Sequence, residues 1–437
     1  MLDDVCLAYA ANAHSEQQLS KMVNAMNSSD AVMAEGLSYG PEWLSASEGN
    51  SLSREQAEQP HLLRTLVVVP ALNEEQHIEQ TLRSLLKELE RLPRAVIAVV
   101  DGGSRDGTCA IVESLHSEDH RVVLLHNPKR IQSAATNLAV RAFGQNAQVM
   151  IRCDAHSVYP RDFCLSLLTT LVRVDADAVV VPMVSAGTTR LQRLVAWTSN
   201  SRIGTGGSAH RGQRARSEFV DHGHHAAIRM DMFRSVGGYD ETFSHNEDAE
   251  FDCRQRAVGG RIYLDAQNPI HYFPRSTFRA LWRQYYNYGA GRSRTARRHP
   301  RSLRMRQLAV VANGIGLVLA FLLAPKFPVT LLLPLLYTSA LLAGATRVAL
   351  GNRDWLGLLA VPVASVMHIA WAAGFLVEFF RTQETAWTVA EAKPLWGTLK
   401  LRAPALGSAV GRSERLDSRA DAATMQGTDG TSIEVGA

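Results

Sequence analysis

The chain has 437 residues, of which 46% are hydrophobic, and a formal net charge of +4. That length allows two or three folded units, and so small a net charge gives no reason to expect a nucleic-acid partner. Five cysteines, Cys6, Cys109, Cys153, Cys164 and Cys253, form no C-x-x-C pair and make an odd count, which fits reduced thiols in a cytosolic compartment better than a disulfide framework.

Residues 1–61 are rich in Ser, Ala, Asn, Gln and Glu and show weak periodicity. Asp3 and Asp4 stand where a signal peptide carries positive charge, and no long apolar core follows. A poorly ordered N-terminal extension is expected there.

A regular alternation then begins. Thr65 to Pro70 reads as a buried strand, and Ile78 to Leu92 as a helix with Leu82, Leu85, Leu86 and Leu89 on one face. Strands are expected at Ala95 to Val100, Val122 to Leu125, Val149 to Cys153 and Ala178 to Val181. Helices are expected at Thr108 to Leu115, Ser133 to Phe143 and Pro160 to Val172, the last with its proline near the start. Such alternation implies an α/β domain, a mainly parallel sheet with helices on both faces. Ligands of such sheets bind outside the carboxyl ends of the strands.

Those ends are polar. They carry Pro70-Ala71-Leu72-Asn73-Glu74-Glu75, then Asp101-Gly102-Gly103-Ser104-Arg105-Asp106-Gly107-Thr108, then Asn127-Pro128-Lys129-Arg130, then Asp154-Ala155-His156. Asp101 can accept from a ribose or a base, and the glycines allow close backbone approach, although this stretch is also a good turn and helix cap. Along an extended backbone Asp154 and His156 point the same way, a workable half-site for a divalent cation carrying a diphosphate. Farther on come Asp221-His222-Gly223-His224-His225, either an acceptor-side cluster or satisfied polar residues near a strand, and Gly204 to Ser208, either a closing loop or a linker. Glu247, Asp248, Glu250 and Asp252 are either a solvated acidic helix turn or hold a catalytic base.

At this point the chain resembles the inverting family 2 glycosyltransferases with a GT-A fold, most of all the membrane-bound succinoglycan-type exopolysaccharide glucosyltransferases. The resemblance rests on Val69 to Glu74, Asp101 to Thr108, Asn137, Asp154-Ala155-His156, Gly237-Gly238-Tyr239-Asp240-Glu241 and Asn246-Glu247-Asp248, and covers roughly residues 64–290. It implies a GT-A nucleotide-sugar-binding domain followed by a C-terminal helical membrane region. It implies that Pro70, Ala71, Asn73, Glu74, Asp101, Gly103 and Asn137 serve the nucleotide and that Asp154 binds metal-diphosphate, with His156 as a second metal ligand or a diphosphate donor. Asp248 would be the catalytic base, with Glu247 contacting the acceptor or supporting Asp248. The cofactor would be Mg²⁺ or Mn²⁺, since Mn²⁺ accepts imidazole more readily. Two positions depart from the family: His156 replaces the usual second carboxylate, and Thr136 stands where an Arg is common. The activity implied is transfer of a hexose, glucose foremost, from a nucleoside-diphosphate sugar such as UDP-glucose to a lipid-linked saccharide. A polyisoprenyl-phosphate glycosyltransferase, a processive polysaccharide synthase and a non-catalytic membrane scaffold are the alternatives. The synthase is weakened because Gln284 to Tyr288 lacks the Q-x-x-R-W wording.

Beyond this region the character changes. In Arg275 to Tyr288 the apolar residues Phe278, Leu281, Trp282 and Tyr285 share one helix face and Arg275, Arg279 and Arg283 another, which suits an anionic bilayer surface; Gly289-Ala290-Gly291 is expected to break this helix. Arginines from Arg292 to Arg306 follow, then apolar stretches at Leu308 to Ala324, Val329 to Ala345 and Trp355 to Phe380. Each approaches or exceeds the ~20 residues needed to span a bilayer. The expected domains are the extension 1–61, the GT-A domain 62–274, a basic interface helix and linker 275–306, about three membrane helices in 307–381, and a tail 382–437 that is partly disordered. The arginine flank predicts a multi-pass protein of the inner membrane, in contact with its lipids, with the catalytic domain in the cytosol. Three crossings put the C-terminus outside, but basic residues in the tail leave a re-entrant or interfacial segment open. His368 is expected to meet a lipid phosphate or another helix.

Overall fold

The computed structural model describes residues 58–206 and 215–395. Residues 1–57 of the N-terminal extension, residues 207–208 of the glycine loop and residues 396–437 of the tail lie outside the described residues. Three β/α units open the fold: β1 (Thr65–Ala71), α1 (Ile78–Leu89), β2 (Ala95–Asp101), α2 (Thr108–Glu118), β3 (Val122–His126), α3 (Gln132–Phe143). Next come β4 (Val149–Arg152), α4 (Phe163–Arg173), β5 (Ala178–Val181), β6 (Met183–Ser185) and α5 (Arg190–Ser199), then a helical turn at Arg202–Thr205. The second half of the domain holds β7 (Glu218–Val220), β8 (His224–Arg229), α6 (Met230–Ser235), α7 (Glu247–Ala257), β9 (Ile262–Leu264) and β10 (Ile270–Tyr272).

The main sheet has the order β3-β2-β1-β4-β8-β5-β9-β7, and β10 pairs with β6 separately. The pairs among β1 to β4 are parallel, whereas β8 is antiparallel to both of its neighbours, β4 and β5. β2 is buried along its whole length because helices cover both faces. On α1 the buried Ile78, Leu82, Leu85 and Leu89 follow helical spacing, and truncating one such leucine costs about 2–5 kcal/mol. β1 lies between β2 and β4, so the chain leaves its two neighbours in opposite directions and a crevice opens at their carboxyl ends.

Several expected boundaries move. α4 starts at Phe163, after Asp162 in a left-handed conformation (φ 58°), so Pro160 precedes the helix. The basic helix does not break at its glycines: α8 (Phe278–Arg298) runs straight through them. A Cβ at Gly289 would run into the Trp371 carbonyl, and one at Gly291 would lie 2.5 Å from the His245 carbonyl oxygen. These glycines admit a neighbouring backbone rather than ending the helix.

Three apolar helices follow, α9 (Met305–Leu323), α10 (Leu332–Asn352) and α11 (Ala360–Arg381). By length and composition each can cross a membrane. His368 meets another helix and the catalytic domain: its Nδ1 is 3.1 Å from the Tyr337 hydroxyl and its Nε2 2.7 Å from the Ile203 carbonyl. The described cysteines, Cys109, Cys153, Cys164 and Cys253, are all free.

Candidate active site

A cavity of about 220 Å³ opens at the carboxyl ends of β1, β2 and β4. Pro70, Ala71, Leu72 and Glu74 line it together with Val100, Gly102, Asn127, Arg130 to Gln132, Ala135 and Asp154 to His156. Asn73 takes a left-handed φ of 56° that a small polar side chain tolerates, and braces two loops. Its amide donates to Ser104 Oγ (2.8 Å) and its Oδ1 accepts from the Arg105 amide (2.9 Å). Asp101 organises the next loop by accepting from the amides of Gly103 (2.8 Å) and Ser104 (3.1 Å). Burial opposes ionisation of Asp101, but the hydrogen bonds from Ser104 and Gly103 outweigh it and hold the carboxyl below its ordinary value. Gly103 needs its positive φ of 87°, which turns its amide back onto Asp101.

Asp154 sits at the cavity edge with only long contacts, 3.4 Å from Gln132 Nε2 and 3.6 Å from His224 Nε2. His156, expected beside it, places Nδ1 2.9 Å from Glu74 Oε1 instead, and that hydrogen bond raises its pKa. The imidazole nearest Asp154 is therefore His224, which β8 delivers by pairing beside β4. One under-used carboxylate with an imidazole at hand fits a divalent cation whose other ligands come from a diphosphate and water. Among the described residues only Asp101, Cys109 and His126 bring three candidate ligand atoms within 4.8 Å. Burial, then Asp101, push the Cys109 thiol up to about 11, so it stays protonated and is a poor ligand.

Beneath Asp154 lies a buried ionic network. Arg152, the last residue of β4 and two before Asp154, donates to both Asp248 oxygens, Nη1 to Oδ1 at 2.5 Å and Nη2 to Oδ2 at 3.0 Å. This fork ties the strand that presents Asp154 to the first turn of α7. Asn246, left-handed at φ 70°, turns the chain into that helix, whose N-terminus favours the carboxylates of Glu247 and Asp248. His225 Nδ1 is 3.4 Å from Asp248 Oδ1 and 2.5 Å from the Tyr239 hydroxyl, while its Nε2 is 2.7 Å from Asp252 Oδ1. Asp252 also faces His222 Nδ1 at 2.7 Å. Burial works against ionising Asp248, yet the charges of Arg152 and His225 pull it far below the usual carboxylate range. Burial, then Asp248 itself, push Glu247 up to about 7. The acidic turn is thus no solvated face, because Glu250 and Asp252 are wholly buried and paired with Arg254 and His225.

Asn137 stands apart from the cavity. Its Nδ2 donates to the Tyr239 carbonyl (2.7 Å) and to Glu241 Oε1 (3.0 Å), and its Oδ1 accepts from the Tyr239 amide (2.9 Å). It clamps the turn Gly237-Gly238, whose φ values of 88° and 68° only glycine adopts readily. Both ends of its amide are engaged at that turn. Sequence reasoning missed Arg152, and it named His225 and Asp252 in separate clusters without their pairing. Strand alternation could have found Arg152, which shares a face with Asp154. The other two depend on β8 inserting between β4 and β5.

Comparison with known proteins identifies the family. The glycosyl transferase family 2 profile matches residues 66–237. The chain is 42% identical over 324 residues to the succinoglycan biosynthesis protein ExoA of Rhizobium meliloti (strain 1021), covering 72% of this chain and 96% of that protein. It is 22% identical over 234 residues to a Methanococcus voltae dolichyl N-acetyl-alpha-D-glucosaminyl phosphate 3-beta-D-2,3-diacetamido-2,3-dideoxy-beta-D-glucuronosyltransferase, covering 52% of this chain and 72% of that one. Among solved structures, the mannosyltransferase PcManGT from Pyrobaculum calidifontis, in complex with GDP-Man and Mn2+, matches at 16% identity and a TM-score of 0.46, over 77% of this chain and 91% of that one. GalNAc-T7 with UDP, GalNAc and Mn2+ matches at 16% identity and a TM-score of 0.39, over 59% and 55%. The chain belongs to glycosyl transferase family 2, with a GT-A-like α/β domain, and is a glycosyltransferase related to ExoA.

Proposed function

We propose that this protein is a membrane-anchored, metal-dependent inverting hexosyltransferase. It moves glucose from UDP-glucose to a lipid-linked saccharide during exopolysaccharide synthesis, at the cytosolic face of the inner membrane. The observation that carries the reading is the Arg152 fork, which couples the strand bearing Asp154 to Asp248. The likeness to a succinoglycan biosynthesis protein supports the pathway, and the lipid-linked substrate in the methanococcal relative's name supports the acceptor class.

In this mechanism Pro70, Ala71, Asn73, Glu74, Asp101 and Gly103 frame the nucleoside. Asp154, with His224 beside it, holds Mg²⁺ or Mn²⁺, and His156, tied to Glu74, contacts the diphosphate. The cation would neutralise the departing nucleoside diphosphate, so no general acid is required. Asp248 takes the proton of the acceptor hydroxyl as its oxygen attacks the anomeric carbon from the face opposite the leaving group. Glu247 borders the acceptor. Asp248 is a weak base before reaction because Arg152 holds it, but the hydroxyl turns strongly acidic as its oxygen bonds to carbon, so a late transfer suffices. A single displacement of this kind inverts the configuration. A donor screen with membranes tests the reading: transfer from UDP-glucose, lost on chelation and restored by Mg²⁺ or Mn²⁺, supports it, and metal-independent transfer refutes it.

A further inference from the structure

Arg130 lines the cavity from the loop that joins β3 to α3. Its backbone is left-handed, at φ 56°, a conformation that an arginine adopts only where its surroundings impose it. Asn127 imposes it here. The Asn127 amide donates to the Asp101 carbonyl (2.7 Å), its Nδ2 donates to the Ile131 carbonyl (2.9 Å), and its Oδ1 accepts from the Lys129 amide (3.1 Å). The loop is thereby closed on one buried side chain. The Arg130 side chain crosses to the loop after β2, where a Cβ at Gly103 would lie 3.2 Å from its Nη2 and 3.3 Å from its Nε. Glycine at 103 lets the guanidinium settle against it as well as turning its own amide onto Asp101.

Among the described residues no carboxylate or carbonyl holds this guanidinium, although the adjacent Lys129 is paired with Glu241 (2.5 Å). A guanidinium offers donors only, so what it meets in the cavity must present an acceptor. Position decides which part of a nucleotide that is. The strands run β3-β2-β1-β4, and neighbouring strands stand about 4.8 Å apart, so the loop after β2 is about 10 Å from the strand that leads to Asp154. Gln132 turns back to Asp154 (3.4 Å), whereas Arg130 reaches onto Gly103. With the diphosphate and its cation at Asp154, Arg130 faces the nucleoside end. On a pyrimidine whose ribose points toward Asp154, ring position 2 lies beside the glycosidic bond and ring position 4 on the far edge. Uracil carries a carbonyl oxygen at position 4. Cytosine carries an amino group there, which has only hydrogens to offer a guanidinium.

We propose that Arg130 reads the nucleobase of the donor: its guanidinium donates to the carbonyl oxygen at the far edge of uracil and rejects cytosine, whose amino group would leave that donor unpaired. Arg130 is then a specificity-determining residue, in addition to the residues that frame the nucleoside. The inference rests on the reading of the cavity as the site of a nucleoside-diphosphate sugar with its diphosphate at Asp154.

The test measures binding of UDP and CDP, with Mn²⁺ present, to the full-length protein in detergent. It compares wild type with Arg130→Met, which keeps most of the stem and removes every donor. The wild type should bind UDP about tenfold or more tightly than CDP, the worth of one hydrogen bond to a charged group. Arg130→Met should lose about tenfold in UDP affinity and change CDP affinity by less than about twofold, so that the preference disappears. Equal affinity of the wild type for the two nucleotides overturns the proposal without any variant. So does a variant that weakens UDP and CDP alike, which would put the guanidinium on the ribose or the diphosphate, or one that weakens neither. A wild type that prefers GDP to both would defeat the uridine donor instead. The same variant then tests Arg130 with GDP against ADP, because guanine and adenine differ by a carbonyl and an amino group at the corresponding edge. Failure to bind any nucleoside diphosphate would defeat the reading of the cavity, and the inference with it.

Discussion

Asp248→Asn removes one negative charge and keeps the shape of the side chain. If Asp248 takes the acceptor proton, turnover falls by ~10²–10⁴, the usual worth of a positioned base and equal to about 2.7–5.4 kcal/mol of barrier. The change also strips Arg152, 4% exposed, of its bidentate partner. Breaking a buried pair typically costs about 3–5 kcal/mol; Glu247, 3.8 Å from Arg152 Nη1, remains to share the charge, so the lower end is expected here. Glu247 then loses the repulsion of Asp248 and keeps the attraction of Arg152, so its pKa falls from about 7. The assay is transfer from labelled UDP-glucose in membranes across a pH series, beside UDP binding and the thermal midpoint in detergent. The expected result is lost transfer, near-normal UDP affinity and a lower midpoint. Turnover within about threefold of wild type, with its acid limb moved to lower pH, would refute the assignment and make Glu247 the base.

Asp154→Ala should weaken metal-dependent donor binding by about tenfold or more, and His224→Ala by less, both read from Mn²⁺ titrations of UDP binding; an unchanged titration for Asp154→Ala removes it from the cation site. Glu247 predicts a pH effect on stability. Its carboxyl has an ordinary value of 4.5 and lies at about 7 in the fold, so between those values the native state holds a proton that the unfolded chain has released. Stability therefore falls as pH rises through that window. Asp248 is ionised in both states there and His225, raised above 6.5, adds its own fall only above that value, whereas Glu88, also raised from 4.5, and His245, lowered from 6.5, titrate in the same window, so the share of Glu247 is read as the difference between wild type and Glu247→Gln. Glu247→Gln should flatten the thermal midpoint over that interval, and an undiminished slope would contradict the burial argument. Asn137→Ala leaves the Tyr239 amide and carbonyl without their partner and should cost about 1–3 kcal/mol of stability for each buried group left unpaired, with UDP affinity retained. A selective loss of UDP binding at unchanged stability would return Asn137 to the nucleotide site.

The strand and helix alternation from Thr65 to Val181 was legible because buried parallel strands and amphipathic helices write different periods into the chain. Polar clusters at successive strand ends likewise announced the crevice, since parallel topology sends those ends to one edge. What was not legible depends on pairing far along the chain. Nothing local says that β8 enters between β4 and β5, so neither the approach of His224 to Asp154 nor the burial of His225 on Asp252 could be read. Gly289 and Gly291 looked like helix breakers because their reason for being small, a second backbone at each, lies in Trp371 and His245. The partner of the Asn137 amide was likewise out of reach, since it lies in a turn that glycines shape a hundred residues later.

The most direct test of the account is the anomeric configuration of the transferred sugar. UDP-glucose carries an α-linked sugar, so one displacement assisted by a single carboxylate must yield a β-linked product. Proton NMR of the lipid-extracted product reads this from the coupling at the anomeric carbon. A β-glucoside formed by wild-type membranes and missing from those of the Asp248→Asn variant is the predicted result; an α-linked product would contradict the mechanism.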